Sequence, residues 1–417
     1  MPHGRIHPRI AGVVRTPAYD RSKATTPQPH ISNMTEHDIT GFADGLGSKL
    51  SARSRHVCVF LGAGSSMACG LPGIATLQTL VAAGLDAGDK VAFERQLRDR
   101  NLEQALSRVR RIQALLADHG GEVDDLDAAA AGALDRGVCR LVVEQLTSPV
   151  ANLEPVLRFA SWAAQANYDQ PLELFTVNYD LLFETALESL GVPYFDGFMG
   201  SLRARFRTDL VEATPRDSAD WLPAFLVRLW KLHGSVNWEW EEGERAEVVR
   251  LGAPVASGRP AAIYPSDAKY EESRRVPFVV LQDRFRRSLQ VPETLLLISG
   301  YSWTDEHINE VLFDAARRRP RTEFISFSYS ELPEALVARA EAMPNVQAIA
   351  GDEAILGGVR ASWAPAPAPI PDVWDGDKCL LGDFVHLAAL LARSSPSHGQ
   401  TDQRVAELIT NLVSADG

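Results

Sequence analysis

Short apolar runs alternate along this chain with longer stretches in which apolar residues recur at helical spacing. The first run, VCVFL at Val57–Leu61, is continuously apolar and ends in a glycine-rich turn, which is typical of a strand buried on both faces. Similar runs are LELFTV at Leu172–Val177, RLWKL at Arg228–Leu232, TLLLISGYS and TEFISFS. Because helical stretches separate these strands, the pattern predicts an α/β fold, a Rossmann-like parallel sheet with helices on both faces.

The same pattern divides the chain into predicted parts. Residues 75–166 are alanine- and leucine-rich with helical charge periodicity, and we predict that they form a helical insertion between the first two strands. Residues 41–74 and 167–360 are predicted to form the sheet domain. Residues 361–417 are predicted to be a proline-rich loop, WAPAPAPIPDVW, followed by C-terminal helices. Residues 1–40 are predicted to be a disordered tail, with Met34 as an alternative start and partner or nucleic-acid binding as the functional alternative.

Composition restricts the class of protein. Of the 417 residues, 45% are hydrophobic and 23% are charged, and the formal net charge of -12 disfavours broad, non-specific binding to nucleic acid. No apolar run approaches the roughly 18 residues that a membrane-spanning helix needs. The four cysteines form no C-x-x-C pair, so the sequence predicts no metal site. Without a recognisable secretion signal, we expect a reduced, cytoplasmic protein.

Polar and glycine-rich residues follow four of the predicted strands. The first strand is followed by GAGSS, the second ends in TVNYD, the third continues into KLHGSVNW, and the fourth ends in GYSWTDEHIN. In a parallel sheet the carboxyl ends of the strands lie at one edge, which is where α/β folds bind their ligands. These segments therefore predict a ligand site at that edge.

Each segment also has a purely structural explanation. The glycines Gly62 and Gly64 could simply form a tight turn, since Met67 stands where the dinucleotide fingerprint has its third glycine. Asp180 and Asp305 could cap the helices that follow them, and His233 could be a packing residue. The ligand-binding edge explains all the segments together, whereas the structural explanations are needed one by one.

Taken in order, the segments GAGSSMACGLP, TVNYD, KLHGS and GYSWTDEHIN resemble the sirtuin family, specifically its NAD-hydrolysing branch in bacterial anti-phage defence. The resemblance spans Val57 to about Leu312 and implies a sirtuin-like, NAD-binding sheet domain. Two departures argue against protein deacylation. The paired cysteines of the sirtuin zinc module are absent, and Pro72 is followed by Gly73 and Ile74 instead of aspartate and phenylalanine.

The resemblance also implies roles for individual residues. Asn178, His233 and Asp180 would be catalytic and lie near the nicotinamide ribose. The first motif would line the dinucleotide phosphates, and Gly300, Ser302 and Asn309 would face the adenosine half. The full set of implied cofactor-binding residues is Gly62, Ala63, Gly64, Ser65, Ser66, Pro72, Thr176, Gly300, Ser302 and Asn309.

On this basis the expected activity is hydrolysis of NAD+ to nicotinamide and ADP-ribose, with NAD+ as the substrate and no metal. Because uncontrolled loss of NAD+ would poison the cell, the activity is expected to be gated by homo-oligomer assembly, by a separately encoded partner such as an ATPase or nucleic-acid sensor, or by both. One alternative is a module that senses NAD or ADP-ribose without turnover. Another is an NAD-dependent protein deacylase or ADP-ribosyltransferase.

Overall fold

The computed structural model describes residues 36–150, 152–213, 227–241, 247–255, 260–262, 276–394, 403 and 405–408. Of the predicted tail at residues 1–40, residues 1–35, with the proposed start at Met34, lie outside the described residues, and residues 37–40 belong to the first strand and the first helix. The helices of the described part are α1 (Ile39–Ser51), α2 (Ala63–Met67), α3 (Ile74–Gly84), α4 (Ala87–Leu97), α5 (Leu102–His119), α6 (Ala128–Leu146), α7 (Glu154–Gln165), α8 (Leu182–Ser189), α9 (Thr208–Glu212), α10 (Phe278–Ser288), α11 (Glu306–Arg318), α12 (Glu334–Ala342) and α13 (Phe384–Arg393).

The strands of the described part are β1 (His37–Asp38), β2 (Val57–Leu61), β3 (Glu173–Thr176), β4 (Tyr194–Phe195), β5 (Phe198–Met199), β6 (Arg203–Phe206), β7 (Val227–Lys231), β8 (Gly234–Glu241), β9 (Glu247–Leu251), β10 (Pro260–Ala262), β11 (Leu295–Ser299), β12 (Glu323–Phe327), β13 (Val346–Ile349), β14 (Glu353–Leu356), β15 (Val359–Ala364), β16 (Trp374–Asp375) and β17 (Lys378–Cys379). None of the described helices has both the length and the apolar character that crossing a membrane would require.

The central element is a ten-stranded sheet with the order β1-β15-β14-β13-β12-β11-β2-β3-β7-β4. Its pairs are parallel except for those that β14 makes with β13 and β15. The predicted Rossmann-like parallel sheet with helices on both faces is therefore confirmed. A second, antiparallel sheet of order β10-β8-β9-β6-β5 lies outside this prediction.

The two faces of the central sheet are covered by different apolar layers. Successive side chains of a strand point to opposite faces, and β2 accordingly places Val57, Val59 and Leu61 in one layer and Cys58 and Phe60 in the other. The first layer is completed by α1, α7, α8 and α13, and the second by α10, α11, α12 and the antiparallel sheet. Because both faces are covered, the central strands need continuous apolar runs.

Helices α3 to α6 form a layer with an apolar core of its own. Helix α5 begins at a capping box, in which Asn101 and Gln104 satisfy each other's backbone N–H groups. The buried residues of α7 instead pack in the first layer against the central sheet. The domain boundaries given from the sequence stay predictions. The term "helical layer" refers below to α3–α6 alone.

A buried ionic network lies near the amino end of the central strands. Glu173 of β3 is 1% exposed. It accepts hydrogen bonds from Trp230 Nε1 (2.9 Å), Ser288 Oγ (2.8 Å) and Arg284 Nε (3.0 Å), and His56 Nε2 lies 3.4 Å from its Oε1. Burial by itself would raise the pKa of the Glu173 carboxyl. Arg284 and His56 outweigh burial and hold that pKa well below the ordinary value of 4.5.

Replacing Glu173 with glutamine is expected to lower the free energy of unfolding by about 3–5 kcal/mol, because Arg284 would stay buried without its counter-charge. A carboxyl whose pKa is lower in the folded state stabilises the fold above its unfolded pKa. That contribution is lost as the pH falls through the folded pKa. The wild type should therefore lose stability below about pH 4.5, and Glu173→Gln should lose less over the same range. Urea unfolding at several pH values measures both effects.

Glu323→Gln is the matched control. Glu323 also pairs with two cations, Lys49 and Arg55, but its side chain is 24% exposed. Ion pairs open to water contribute only about 0–1 kcal/mol, so this variant should stay close to the wild type. Equal losses in the two glutamine variants would contradict the assignment of a buried, uncompensated charge.

Candidate active site

The polar segments predicted from the sequence follow strands that are neighbours in the central sheet. Strands β11, β2, β3 and β7 lie side by side and parallel. The chain leaves β2 towards β3 on one side and returns to β11 on the other, so the strand order reverses at β2. In open α/β sheets ligands bind in the crevice at such a reversal. The GAGSS segment follows β2 and the GYSW segment follows β11, the two neighbouring strands at this reversal.

The glycines at this reversal are required by a close approach of two backbone turns. The Gly64 N–H donates to the Gly300 carbonyl at 2.9 Å. A Cβ on Gly64 would lie 2.6 Å from the Gly300 Cα, and one on Gly62 would lie 2.4 Å from the Gly300 oxygen. Gly300 has φ +66, and a Cβ there would lie 2.5 Å from the Ser65 nitrogen. Contact within the protein therefore accounts for these glycines, and their contact with NAD+ phosphates stays a prediction.

Gly300→Ala is expected to lower the free energy of unfolding by about 2–5 kcal/mol, from the left-handed backbone and from the forced separation of the two turns. Gly357→Ala is the matched control, because Gly357 has φ +60 and nothing within 4 Å of an added Cβ. Only the backbone contribution, about 1–2 kcal/mol, applies there. Urea unfolding compares the two, and equal losses would show that the approach of the turns imposes no constraint.

Asn178 lies in the turn after β3 and is 7% exposed. Its side-chain nitrogen lies 3.0 Å from the Gly62 carbonyl oxygen, 3.1 Å from Ser65 Oγ and 2.8 Å from Ser66 Oγ. A carbonyl can only accept, so the nitrogen, and not the oxygen, of the Asn178 amide must face Gly62. The amide oxygen is thereby turned away from the glycine turn, and no residue in the described part of the chain donates to it.

Asp180 supports this orientation of Asn178. Ser66 Oγ donates to Asp180 Oδ2 at 2.7 Å, so the hydroxyl is left to accept from the Asn178 amide. The other oxygen of Asp180 accepts from the Leu182 N–H at 3.0 Å, at the start of α8. Asp180 thus binds the first residue of α8, although Leu181 is its N-cap residue, and also fixes the serine that holds Asn178. Thr176 contributes too, since its hydroxyl donates to the Leu61 carbonyl at 2.9 Å and accepts from the Asn178 N–H at 3.0 Å.

His233 follows β7, the strand next to β3. Its Nε2 lies 3.3 Å from Oδ2 of Asp305, while Oδ1 of Asp305 accepts from the N–H groups of His307 and Ile308 in the first turn of α11. A carboxylate beside Nε2 favours a proton on that nitrogen and leaves Nδ1 as the basic atom of the neutral ring. Asp305 was expected only as a helix cap, and its position beside His233 was not predicted.

The segment predicted to face the adenosine half is held by its own hydrogen bonds. Asn309 Nδ2 donates to the Trp303 carbonyl at 2.8 Å, and Tyr301 Oη donates to Asn309 Oδ1 at 2.9 Å. Trp303 has φ +61, a left-handed conformation that the bond from Asn309 helps to hold. Ser302 is exposed and lies 2.9 Å from Thr304 Oγ1. Both polar ends of the Asn309 amide are therefore engaged within the turn.

Two further residues are implied by the resemblance. Ala63, the first residue of α2, is exposed, and Pro72, in the loop between α2 and α3, is partly exposed. Ser65 is fully buried, and its hydroxyl donates to the Gly62 carbonyl at 2.8 Å. The structure thus brings Gly62, Ser65 and Ser66 together with Asn178, and leaves Ala63 on the surface.

A buried lysine under the site was missed. Lys231 of β7 is 2% exposed and donates to Glu184 Oε1 at 2.9 Å, Ser235 Oγ at 2.8 Å and the Tyr179 carbonyl at 3.3 Å. Burial raises the pKa of Glu184, and Lys231 offsets only part of that rise. Lysine is almost never fully buried unless it is paired, so its place inside the apolar run RLWKL was an available indication.

Comparison with known proteins agrees with this geometry over part of the chain. Residues 172–349 match the family model described as a SIR2-like domain. No curated protein matches the chain. Within the described residues, no cluster of three or more His, Cys, Asp or Glu side chains could hold a metal ion. The matched segment begins at β3 and ends at β13. The GAGSS turn precedes this segment in the chain, and the strand before the turn, β2, pairs with β3 and β11 of the segment. The chain therefore contains a SIR2-like domain at residues 172–349, which includes Asn178, His233 and the Gly300 turn.

Proposed function

We propose that this chain is an NAD+ glycohydrolase that converts NAD+ into nicotinamide and ADP-ribose. A SIR2-like domain indicates an NAD-related function. The observation that carries hydrolysis is the orientation of Asn178, whose amide nitrogen is fixed by three acceptors while its oxygen receives no hydrogen bond from the described residues. A buried amide oriented in this way is suited to hold a water molecule at the sheet edge where these folds bind their ligands.

The chemistry of NAD+ explains why a small set of residues is enough. Nicotinamide is attached to the ribose C1′ through a cationic pyridinium nitrogen, so it leaves as a neutral ring and needs no strong acid. The bond between C1′ and nitrogen breaks, and its electron pair stays on nicotinamide. Water forms the new bond to C1′ and gives up one proton. The site must therefore position a water molecule and accept a proton.

Asn178 and His233 have the groups for these two tasks. The Asn178 oxygen accepts a hydrogen bond from the water and so directs a lone pair of the water towards C1′. His233 accepts the proton at Nδ1, and the Asp305 carboxylate beside Nε2 stabilises the resulting imidazolium. Asp180 acts through Ser66 to hold the Asn178 amide, so we assign it a positioning role.

The dinucleotide is proposed to lie at the sheet edge, over the GAGSS and GYSW turns, which contact each other. Ala63 and Ser302 are exposed in these turns and are proposed to offer backbone and hydroxyl groups to the ligand. Pro72 and Asn309 are proposed to shape the borders of this site. In this arrangement NAD+ is the substrate.

We further propose that the enzyme is a gated effector of bacterial anti-phage defence that acts by NAD+ depletion. An unregulated NAD+ hydrolase would be toxic to its own cell, which supports control by homo-oligomer assembly or by a separately encoded partner, such as an ATPase or nucleic-acid sensor. Full activity of the isolated monomer, equal to that of any assembled form, would contradict the gate.

Chromatography of nicotinamide and ADP-ribose after incubation with NAD+ tests the proposal. The full-length protein is assayed alone, as a concentrated assembly, and with the product of a neighbouring gene. Release of both products in equal amounts by at least one of these forms is the expected result. NAD+ binding by calorimetry without products in any form would instead indicate a sensor, and transfer of ADP-ribose to protein would indicate a transferase.

A further inference from the structure

The apolar core of the helical layer extends to the candidate active site. Besides residues of α3–α6 and Leu126, between α5 and α6, the buried members of this core are Tyr179, from the TVNYD segment, and Val236, from β8. Leu181 packs against the same core. The turn that carries Asn178 and Asp180 is therefore in direct contact with the helical layer, which lies outside the SIR2-like match.

Tyr179 is fixed at both its side chain and its backbone. The residue is 8% exposed, and its hydroxyl donates to Glu103 Oε1 of α5 at 2.6 Å. Its carbonyl accepts from the Val236 N–H at 2.9 Å. A short hydrogen bond to a carboxylate is about twice as strong as one between neutral groups. Tyr179 is thus the residue through which α5 holds the turn between Asn178 and Asp180.

The electrostatic surroundings keep the Tyr179 hydroxyl as a donor. Burial raises the pKa of the phenol well above its ordinary value, and the Glu103 carboxylate raises it further. The phenol therefore stays protonated wherever the protein is folded near neutral pH. Asp305 also raises the pKa of Tyr179, so the phenol lies within electrostatic reach of the carboxylate that pairs with His233.

We propose that Glu103 and Tyr179 are positioning residues for the reaction and that their hydrogen bond couples the helical layer to Asn178. The bond holds the 177–181 turn so that the Asn178 oxygen faces the crevice. A partner that displaces α5 from the sheet would break the bond and release the turn. The inference rests on the proposed NAD+ hydrolysis, and it identifies the helical layer as the part of the chain through which the gate acts.

Glu103→Ala and Tyr179→Phe are each expected to lower kcat by about 10–100-fold, the range that corresponds to loss of a hydrogen bond to a charged group. The KM for NAD+ should stay unchanged, because Asn178 acts on the water and not on dinucleotide binding. The double variant should lose no more than either single variant, since both remove the same bond. Steady-state kinetics on the full-length protein, in the active form found above, measures these effects.

Two controls separate positioning from general damage. Glu103→Gln keeps an acceptor for Tyr179, and because a bond between neutral groups is about half as strong, it should recover part of the rate. It removes the charge, so an effect through the dipole of α5 would not be recovered. Tyr168→Phe removes another buried hydroxyl, which donates to the Leu50 carbonyl at 2.8 Å and belongs to the first apolar layer, not to the core of the helical layer. It should leave kcat unchanged.

Amide hydrogen exchange gives a readout that does not depend on activity. The 177–181 turn should exchange faster in Glu103→Ala and Tyr179→Phe than in the wild type and Tyr168→Phe. If the wild type is active and the variants keep both its kcat and its exchange rate in the 177–181 turn, the coupling is wrong. A wild type that never hydrolyses NAD+ would overturn the proposed function instead, and unchanged exchange in the variants would then overturn the coupling on its own.

Discussion

Replacement of Asn178 by alanine is expected to lower the rate of NAD+ hydrolysis by about 10²–10⁴-fold, the range that a positioned catalytic group typically contributes. The alanine has no oxygen to hold the attacking water, and Ser65 and Ser66 lose the amide that they accept from. Asn178→Asp should fail to the same degree. It keeps the shape of the side chain but places a carboxylate oxygen against the Gly62 carbonyl. Product formation by chromatography measures both variants.

Asn345→Ala is the control for Asn178→Ala. Asn345 precedes β13, and its side-chain nitrogen also bonds three acceptors, the carbonyls of Ala316, Arg319 and Thr322, at 3.0, 3.3 and 2.9 Å. It should lose stability and keep its rate of hydrolysis. If Asn178→Ala hydrolyses NAD+ as fast as Asn345→Ala, the assignment of the water-holding oxygen is wrong.

Replacement of His233 by alanine is expected to lower the rate of hydrolysis by a similar factor, about 10²–10⁴-fold, because the proton of the attacking water loses its acceptor. Asp305→Asn should have a smaller effect, since histidine remains and only the stabilisation of its charged form is lost. Initial rates over a range of pH measure both. A large loss of rate in His233→Ala with a smaller loss in Asp305→Asn indicates a base that a carboxylate supports. A histidine that only packs would not give this order.

His386→Ala is the control for His233→Ala. His386 of α13 also lies beside a carboxylate, with its Nδ1 3.2 Å from Asp372 Oδ1. Helix α13 belongs to the first apolar layer on the central sheet. The loss of His386 should leave hydrolysis unchanged. Normal activity in His233→Ala, with folding verified by circular dichroism, would remove His233 from the reaction.

Much of the sheet could be predicted because its strands are buried on both faces. Val57–Leu61 has the predicted bounds, and the run Leu172–Val177 contains the observed strand Glu173–Thr176. Such runs cannot form a half-exposed element without leaving apolar surface in water. The antiparallel sheet could not be predicted in the same way. Some of its pairs, such as β6 with β9, join segments that are distant along the chain.

The candidate site was predictable in its residue types and not in its contacts. Residues at carboxyl ends of parallel strands meet because the sheet demands it, so Asn178 and His233 could be placed at one edge from the sequence alone. The partner of His233 could not. Asp305 has a complete local explanation as a helix cap, and nothing in its own segment indicates a histidine beside it.

By itself, the sequence determined the α/β class, the strands β2, β3, β7, β11 and β12 of the central sheet, and the polar segments that follow four of them. Each of these depends on local periodicity and on the chemistry of single residues. Only the tertiary structure decided which way the Asn178 amide points, why Gly300 must be glycine, and that Glu103 reaches Tyr179. These depend on distances between segments far apart in the chain. Such distances follow from how the layers pack, and a local pattern carries no information about them.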